Sequence, residues 1–494
     1  MSQFYPFIFE QMQEWDKEIL ITNKNKYTFR DLHSKVEEFI HFLQQHGDVK
    51  AKKIAILTPN LFPYLSLIIA INHLGGTVIP LNPQLKNDDL ASILSLIEPN
   101  IVFTVEEVNG VPTKRIIKDS LTKNDISAVM FTFVEEEVEV EQLYGTKDSN
   151  IKEEIDFIVC TSGSTGLPKG IKLSARAIKK WTEALKWGLE LEKKDQIFLT
   201  IPITAAYGIT WLLTCLRNGV QMVIPESFDM PIVLQLLRSN HCNKLNTTPS
   251  IFKGIYIFSK QLNIKGLENI SLCALAGEQV SADLVETIKD LKSCRIINSY
   301  GLSEQGVLMY TNDIRSEAVE WSMAKGNQYK VDNMSENGIG ELMIKTSYGF
   351  DGYYLNDGMT QEVLSKDGWF ATGDLVTINE QGKIHIVGRK KQIIKKGGVQ
   401  VIPTEIELFL NKHPKVVNSA VVGIPHTVYG EEIIAFIVPK AECTLEEIFS
   451  YLRKNIANVK IPGKVMKISE LPIIQGKVDK VTLRNRAIEY CAEE

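Results

Sequence analysis

Short apolar runs typical of buried strands alternate with helical patterns along most of this chain. The first unit predicts a strand over 53–60, a buried helix over 61–73 and a second strand over 77–83. The same order returns over 196–226 and again over 271–301. Because parallel strands need a crossover connection, usually a helix, this alternation predicts an α/β fold with a mainly parallel sheet.

Length and a change of pattern predict more than one domain. At 494 residues the chain exceeds the ~100–200 residues typical of a single domain. Short strands separated by Gly and Asp over 338–390 indicate a β-rich subdomain. The hairpin, helix and strands that follow, with a helix start marked by the capping box Thr444–Glu447, indicate a separate α+β domain. We therefore expect a large N-terminal domain over 1–390 and a small C-terminal domain over 391–494.

Charge and hydropathy exclude two kinds of partner. The net charge of −5 comes from 60 acidic and 55 basic side chains, with no basic stripe for a nucleic acid. The apolar stretch over 61–81 is broken by polar residues and glycines, whereas a membrane span needs about 20 nearly unbroken apolar residues. We expect buried core there and no membrane span. The acidic run over 135–141 predicts a solvated loop or an edge strand.

The cysteines and the first residues bear on the compartment. Seven cysteines form an odd set without C-x-x-C spacing, which argues against a disulfide framework or a thiolate zinc site and favours a reducing compartment. The first 18 residues lack a basic segment followed by an apolar core, so no secretory signal is expected. We expect a cytoplasmic protein.

A loop rich in glycine and hydroxyl side chains follows the predicted strand over 155–160. Glycines allow the backbone to present N–H groups to an anion, hydroxyls add donors, and a lysine adds charge, so the loop is suited to bind phosphate. It is not a Walker A loop, because its lysine is followed by glycine and another strand rather than by Ser or Thr and a helix. The predicted phosphate-binding residues are Thr161, Ser162, Gly163, Ser164, Thr165, Gly166 and Lys169.

Four further blocks occur downstream, over 300–304, 372–374, 388–391 and 475–480. Together with the loop, and in the same order, they resemble the AMP-forming acyl- and aryl-CoA synthetases, adenylation domains and luciferases, which form the adenylate-forming superfamily. The resemblance spans essentially the whole chain. It implies that ATP and a carboxylic acid react to an acyl-adenylate and pyrophosphate.

The resemblance implies a role for each block in holding the nucleotide. The ring of Tyr300 would lie against adenine, Ser303 near the phosphates and Glu304 on Mg²⁺, a hard cation that needs oxygen ligands. Asp374 would accept both ribose hydroxyls, and Arg389 would assist at ribose or phosphate. The remaining residues expected around adenine and ribose are Gly277, Glu278, Gln279, Asn298 as a contact to the purine amine, and Gly301.

The resemblance also implies that the small domain is mobile and carries the catalytic lysine. Lys477 would stabilise the negative charge that develops as the carboxylate attacks the α-phosphorus. Lys391 lies where such enzymes swing the small domain between two orientations. In the second orientation a hairpin would serve the thiol step, through Lys395, Lys396, Gly397, Gly398 and Gln400.

The acid pocket is expected mainly on the segment over 202–208. Many CoA ligases have His at the position of Ala205, and domains that activate α-amino acids have Asp near Ala206. Neither is present, and because a buried ammonium without a counter-charge costs several kcal/mol, we expect an uncharged fatty or aryl tail. The predicted pocket residues are Ala205, Ala206, Tyr207, Gly208, Thr248 and Ala276.

The thiol that accepts the acyl group is coenzyme A in the favoured interpretation. The alternative is the phosphopantetheine arm of an acyl or peptidyl carrier protein, whose thiol has the same chemistry. Two other classes remain open, a P-loop phosphotransferase and a catalytically silent nucleotide-binding module. The missing Gly-Lys-Ser/Thr argues against the first, and the presence of Lys477 and Glu304 argues against the second.

Overall fold

The computed structural model describes residues 4–10, 12–134, 137–146, 153–162, 168–264, 266–278, 280–316, 319–335, 338–440, 442–474 and 477–492. Within these residues the α-helices are α1 Phe4–Phe9, α2 Phe29–Gln45, α3 Leu61–His73, α4 Asn87–Ile97, α5 Thr113–Lys123, α6 Ala175–Gly188, α7 Ala206–Asn218, α8 Met230–Ser239, α9 Pro249–Gln261, α10 Ala282–Thr287, α11 Asp357–Val363, α12 Pro403–Lys412, α13 Leu445–Asn455 and α14 Lys480–Ala492. Short 3₁₀ turns cover Leu267–Asn269, Lys390–Gln392 and Asn458–Lys460.

The strands of the described residues are β1 Glu18–Ile21, β2 Lys26–Thr28, β3 Lys53–Ile56, β4 Thr77–Pro80, β5 Ile101–Val105, β6 Ala128–Val134, β7 Glu137–Leu143, β8 Phe157–Ser162, β9 Pro168–Leu173, β10 Gln196–Leu199, β11 Gln221–Val223, β12 Lys244–Thr247, β13 Leu272–Ala276, β14 Arg295–Leu302, β15 Gly306–Thr311, β16 Trp321–Met323, β17 Gln328–Asp332, β18 Gly340–Lys345, β19 Phe370–Ile378, β20 Ile384–Arg389, β21 Ile394–Lys396, β22 Val399–Val401, β23 Val416–His426, β24 Gly430–Pro439, β25 Lys464–Lys467, β26 Ile473–Ile474 and β27 Lys477–Val478.

The three predicted strand–helix–strand units are present as parallel pairs. The first joins β3 and β4 through α3, with Ile54 opposite Val78. The second joins β10 and β11 through α7, and the third joins β13 and β14 through α10. The first strand is shorter than predicted: it ends at Ile56, three residues before Pro59, which has no N–H to donate to a ladder.

Two large sheets carry the first part of the chain. One has the strand order β7-β6-β5-β3-β4-β8-β9, and the other runs β17-β18-β19-β20-β16-β15-β14-β13-β12-β10-β11-β1-β2. The described part of the acidic run, from residue 137 onward, lies in β7, which pairs only with β6 at the sheet edge in the described residues. Of the two structures expected for the acidic run, a solvated loop and an edge strand, the structure therefore has the edge strand.

The strands expected to form a β-rich subdomain continue the second large sheet. β18, β19 and β20 pair antiparallel with one another, and β20 joins β16 through the pair Trp321 and Ile384. The parallel centre and the antiparallel end are therefore one hydrogen-bonded surface. Because of this continuity, elements far apart in sequence can present side chains to the same cleft.

A smaller sheet follows Lys390–Gln392. Its order is β22-β21-β24-β23, with β25 added on β24. The predicted capping box begins α13, since the Thr444 hydroxyl accepts from Glu447 N and the Glu447 carboxylate accepts from Thr444 N at 2.8 Å. An ion pair of 3.1 Å between Lys440 Nζ and Asp283 Oδ1 connects this sheet's end to α10. The fold is thus α/β with a large N-terminal and a small C-terminal domain, as predicted; the boundary at 390/391 stays a prediction.

The apolar stretch over 61–81 contains helix α3, whose apolar character is explained by its burial in the core. The α3 side chains from Tyr64 to Asn72 are all buried, between the two large sheets' layers of apolar residues. Among the described residues, no helix combines the length and apolar character that crossing a bilayer requires. All seven cysteines are free.

At Gly170, in strand β9 of the phosphate-loop hairpin, the backbone packs closely against neighbouring side chains. A Cβ at this position would lie 2.9 Å from Ile158 Cγ2 and 3.0 Å from Tyr354 Cβ. We expect Gly170→Ala to lower the free energy of unfolding by about 1–3 kcal/mol through overpacking. Thermal unfolding measures it, with Gly358→Ala as the control, since a Cβ there meets only Asn356 Oδ1 at 3.9 Å. Equal stability of the two variants would contradict the close packing.

Candidate active site

The residues predicted for ribose and phosphate lie at the ends of β14 and β20 and in the middle of β19, beside the hairpin of β8 and β9. Asp374 is 3% exposed and is the most constrained group there. Its carboxylate accepts from the Tyr300 hydroxyl and pairs with Arg389 Nε at 2.7 Å. Its backbone N–H donates to the Thr372 hydroxyl at 3.0 Å. Strands distant in sequence thus hold one charged carboxylate in place.

Burial and the Asp374 charge raise the pKa of Tyr300 well above its usual value. The phenol therefore stays protonated and donates to the carboxylate at neutral pH. The Arg389 guanidinium opposes this shift and also donates to the Thr372 carbonyl at 3.3 Å. An ionised carboxylate is an acceptor-only group, which is the type of group that the hydroxyl donors of a ligand require.

Glu304 forms a second anchored carboxylate. The Tyr353 hydroxyl donates to Glu304 Oε1 at 2.8 Å, and burial together with the Glu304 charge raises the pKa of Tyr353. Lys169 Nζ lies 5.2 Å from the centre of the Tyr353 ring. Burial lowers the pKa of Lys169, the Lys391 charge lowers it further, and Glu304 opposes both. Two lysines and a carboxylate therefore lie in one neighbourhood.

This arrangement fits a divalent cation only together with a ligand. Within the described parts of the chain, no group of three or more His, Cys, Asp or Glu side chains could hold a metal ion. Mg²⁺ is commonly held by one or two carboxylates and substrate phosphates. Glu304 meets that requirement as the protein's contribution.

The hairpin that carries the phosphate loop is antiparallel, with Thr161 opposite Lys169. Gly163, Ser164, Thr165 and Gly166 lie outside the described residues, as does the side chain of Ser162. Ser303 lies in the turn between β14 and β15. The described ends of the hairpin place Lys169 beside Glu304, as the electrostatic coupling above indicates.

The residues predicted around adenine differ in the space and in the hydrogen-bond partners around them. Gly277 has φ +87° with open space at its Cβ position, whereas a Cβ on Gly301 would lie 2.5 Å from the Gly306 carbonyl oxygen. The Glu278 carboxylate accepts from Ser250 N at 3.0 Å and Ser250 Oγ at 2.7 Å, at the start of α9. Gln279 lies outside the described residues.

Asn298, the predicted contact to the purine amine, has an unusual side-chain environment. Its Oδ1 atom is buried and has no hydrogen-bond partner among the described residues. A buried acceptor without a donor costs about 1–3 kcal/mol, so a ligand that supplies an N–H is favoured. An exocyclic purine amine is such a donor, and the residues present fit the nucleotide that the sequence predicted.

The residues predicted for the acid pocket surround the start of α7. Ala205 precedes the helix without a side-chain cap, and a Cβ on Gly208 would lie 2.1 Å from the Pro202 carbonyl oxygen. Tyr207 accepts a hydrogen bond of 2.9 Å from Asn246 Nδ2. Thr248 caps α9 by accepting from Ile251 N, so this residue has a structural role beside any contact to substrate.

The thiol-step residues lie on the β21–β22 hairpin. Lys396 Nζ pairs with Glu432 at 2.6 Å, and Lys395 is opposite Gln400 in register. Gly397 and Gly398 form the turn with φ of +58° and +82°.

The predicted hinge residue, Lys391, precedes this hairpin in the sequence, and the predicted catalytic residue, Lys477, follows it. Lys391 lies in the 3₁₀ turn that joins the large and the small sheet, next to Lys390, which pairs with Glu341 at 2.6 Å. The backbone of Lys477 pairs with Ile474 in a two-stranded ribbon, and its side chain lies outside the described residues.

Three residues of this region escaped the sequence analysis. Tyr353 reaches Glu304 from 49 positions away, which no spacing rule indicates. Asn246 and Ser299 lie on β12 and β14 among apolar neighbours. A polar side chain inside a predicted buried strand was the available signal for Ser299, because such groups need partners, whereas the sequence analysis predicted no strand around Asn246.

Comparisons with known proteins identify the family of this chain. The sequence model of the family described as AMP-binding enzyme matches residues 9–354, and that of the AMP-binding enzyme C-terminal domain matches residues 405–475. The long-chain-fatty-acid–CoA ligase of Bacillus subtilis is 25% identical, over 96% of this chain and 92% of that protein. The 2-succinylbenzoate–CoA ligase of Bacillus cereus is 23% identical, over 92% and 93%.

The fold is shared with solved structures. ATP-bound MatB from Rhodopseudomonas palustris superimposes with a TM-score of 0.86 at 23% identity and covers 98% of both chains. The anthranilate CoA ligase AuaEII in complex with anthranoyl-AMP gives 0.82 at 20% identity, covering 99% of this chain and 98% of that one. The chain belongs to the AMP-binding enzyme family within the adenylate-forming superfamily, and at the level of that family it is an AMP-forming acyl-CoA synthetase.

Proposed function

We propose that this protein joins a carboxylic acid lacking an α-amino group to AMP, with release of pyrophosphate, and then transfers the acyl group to coenzyme A. The observation that carries the proposal is a pair of anchored carboxylates near the end of β14. Asp374 is buried and is held by Tyr300 and Arg389. Glu304, in the turn after β14, accepts from the Tyr353 hydroxyl and lies near Lys169. The two suit the ribose and the phosphates of one ATP.

The nucleotide is held by groups of matching chemistry in this proposal. Asn298 Oδ1 accepts from the purine amine, and the Tyr300 ring lies against the base. Asp374 accepts from the ribose hydroxyls, helped by Arg389, which keeps the carboxylate ionised and oriented. Tyr300 thereby contacts the nucleotide with its ring and fixes Asp374 with its hydroxyl.

In the first half-reaction a carboxylate oxygen attacks the α-phosphorus, and the bond to the pyrophosphate oxygen breaks with its electron pair leaving on pyrophosphate. Charge builds on the phosphoryl oxygens, and lysines aimed at them stabilise it. Lys169 lies near both Lys391 and Glu304 and can contribute to this stabilisation, and we assign the main role to Lys477. Mg²⁺, when bound, would be held by Glu304 and phosphate oxygens and would neutralise charge there.

In the second half-reaction a thiolate attacks the acyl carbonyl, and the carbon–oxygen bond to AMP breaks. AMP is a far better leaving group than hydroxide, which is why the acid is adenylated first. We propose that rotation about Lys391 withdraws Lys477 and presents the hairpin carrying Lys395, Lys396 and Gln400, with the turn glycines Gly397 and Gly398.

Coenzyme A is the proposed acceptor, and the carrier-protein phosphopantetheine arm is the alternative. The similarity over nearly the full chain to proteins named CoA ligases supports the first. The cytoplasm is the proposed location, because coenzyme A is used there and seven free cysteines fit a reducing compartment.

Lys477→Ala should lower ATP–pyrophosphate exchange about 10²–10³-fold, because a charge aimed at the developing oxyanions is removed. A chemically supplied acyl-adenylate should still be converted to thioester at the normal rate. Lys454→Ala, which removes an exposed lysine on α13, is the control for the loss of one positive charge. Equal loss of both half-reactions in Lys477→Ala would refute the assigned role.

Lys391→Pro should restrict the rotation between domains, since proline fixes φ at about −65°. We expect exchange to survive better than thioester formation from the adenylate, measured separately. Lys391→Ala separates backbone restriction from loss of the charge beside Lys169. An unimpaired thiol step in Lys391→Pro would argue against domain alternation.

Glu304→Gln should raise the Mg²⁺ concentration needed for half-maximal exchange, because an amide oxygen is a weaker ligand for a hard cation than a carboxylate. Tyr353→Phe is the matched control, since it removes the hydrogen bond to Glu304 but keeps the carboxylate. An unchanged magnesium titration in Glu304→Gln would remove Glu304 from the metal site.

A further inference from the structure

Three aromatic side chains pack on the face of the second large sheet that carries Ala276. Tyr207 and Trp211 come from α7, and Tyr310 comes from β15. Trp211 and Tyr310 are buried, while Tyr207 is half-buried. We call Tyr207, Trp211 and Tyr310 the aromatic wall. Because Ala276 belongs to the predicted acid pocket, the position of this wall bears on how long the tail of a bound acid can be.

Strand register shows which side chains a tail would pass on this face. Ser299 is directly opposite Ala276, and Tyr310 is directly opposite Ser299. Asn246 and Ala274 are paired one row deeper, two residues before Ala276, and therefore share its face. This deeper row is about 7 Å farther from the carboxyl ends of the strands, at ~3.3 Å per residue. A tail that extends from Ala276 along the strands would run toward it.

The Tyr207 side chain lies across this path. Helix α7 follows β10, which is parallel to β12, so Tyr207 in the first turn of the helix starts near the carboxyl ends of the strands. Its hydroxyl reaches the deeper row, where it accepts from Asn246 Nδ2 at 2.9 Å. The ring therefore lies between the cleft and the row of Asn246. Since the hydroxyl is in the interior, the part of this side chain that a bound molecule can reach is the ring.

Several partners hold the Tyr207 hydroxyl in place. Burial raises the pKa of this phenol, and hydrogen bonds with Trp211, Asn246 and Ser299 oppose that rise. Asn246 Nδ2 and Trp211 Nε1 are donors, and the phenol hydrogen has the Ser299 oxygen as an acceptor. Swinging the ring aside would take this partner away from three buried groups, and buried polar groups are costly to leave unpaired. The ring is therefore a fixed obstacle rather than a gate.

The other two members of the aromatic wall fill the space behind Tyr207. The rings of Tyr207 and Trp211 are 6.2 Å apart and nearly perpendicular. The Tyr310 hydroxyl donates to the Ala184 carbonyl on α6 at 3.2 Å, and a Cβ on Gly188 would lie 2.3 Å from the Tyr310 ring. Helices α6 and α7 thus pack directly on this part of the sheet. Because protein interiors are close-packed, a longer tail would have to push these side chains apart.

We propose that Tyr207 limits the length of the acid, so that the protein adenylates short acyl or single-ring aryl acids and excludes long-chain fatty acids. The inference rests on the proposed function, since it assigns the tail of the acid that is adenylated. It narrows the uncharged fatty or aryl tail expected from the sequence to one that ends at the Tyr207 ring.

The test measures ATP–pyrophosphate exchange over two series of acids of increasing length. One series is butanoate, hexanoate, octanoate and dodecanoate, and the other is benzoate, 3-phenylpropanoate and 6-phenylhexanoate. In each series kcat/KM should fall by about tenfold or more from the best acid to the longest one, because a tail that meets the aromatic wall forces packed side chains apart. Use of dodecanoate as efficiently as the shorter acids overturns the inference.

Variants assign the limit to the ring of Tyr207. Tyr207→Ala should move the best acid to a longer member of at least one series, and Tyr207→Leu should do so to a smaller extent. Tyr207→Phe keeps the ring and should keep the preference for short acids. Tyr256→Ala is the control for loss of a buried tyrosine, because Tyr256 lies on α9 in a separate apolar cluster. An unchanged order of acids in both Tyr207→Ala and Tyr207→Leu would overturn the assignment.

A binding measurement tests the aromatic wall without turnover. Acylsulfamoyl adenosines are unreactive mimics of the acyl-adenylate, and calorimetry compares the benzoyl with the dodecanoyl form. The unaltered protein should bind the benzoyl form about tenfold or more tightly, and Tyr207→Ala should reduce this ratio. Equal affinity for both forms in the unaltered protein would contradict the length limit. If no acid supports exchange in the unaltered protein, the proposed function fails, and the two affinities still decide whether the length limit exists.

Discussion

The ion pair between Asp374 and Arg389, completed by the Tyr300 hydroxyl, is the contact on which the candidate site depends. It connects β14 in the parallel part of the large sheet with β19 and β20 in the antiparallel part. A buried carboxylate is costly unless it is paired and hydrogen-bonded, so these three strands must stay in register for the charge to be tolerated. Arg389 also directly precedes the turn that leads to the small domain, and a movement there would begin beside the ribose site.

Strand β14 divides the cleft because its side chains alternate between two faces. Asn298 and Tyr300 are on one face, where the nucleotide is proposed, and Ile297 and Ser299 are on the other, which carries Ala276 of the predicted acid pocket. If the two faces bind the nucleotide and the acid, the two substrates would meet at the carboxyl end of this one strand. Gly301 continues this arrangement, since any Cβ there would meet the backbone of β15.

The charged neighbourhood of Lys169, Glu304 and Lys391 complements this division. Lys169 belongs to the phosphate-loop hairpin, Glu304 to the turn after β14, and Lys391 to the junction between domains. Burial lowers the pKa of Lys169, and the like charge of Lys391 lowers it further; a phosphate placed between the two lysines would relieve that repulsion. A bound anion would therefore lower the electrostatic energy of this neighbourhood.

The sequence by itself determined the local units. Hydrophobic periodicity was sufficient to predict the three strand–helix–strand pairs. The residue types at Thr444 and Glu447 were sufficient to predict the capping box, and the five ordered blocks were sufficient to identify the family. Only the tertiary structure decided how these units meet: that β18–β20 extend the large sheet, that Tyr353 holds Glu304, and that Asn246 and Ser299 share a face with Ala276. The physical reason is range, because periodicity and caps act between near neighbours in the chain, whereas register between strands and the pairing of buried polar groups are settled only when distant segments pack together.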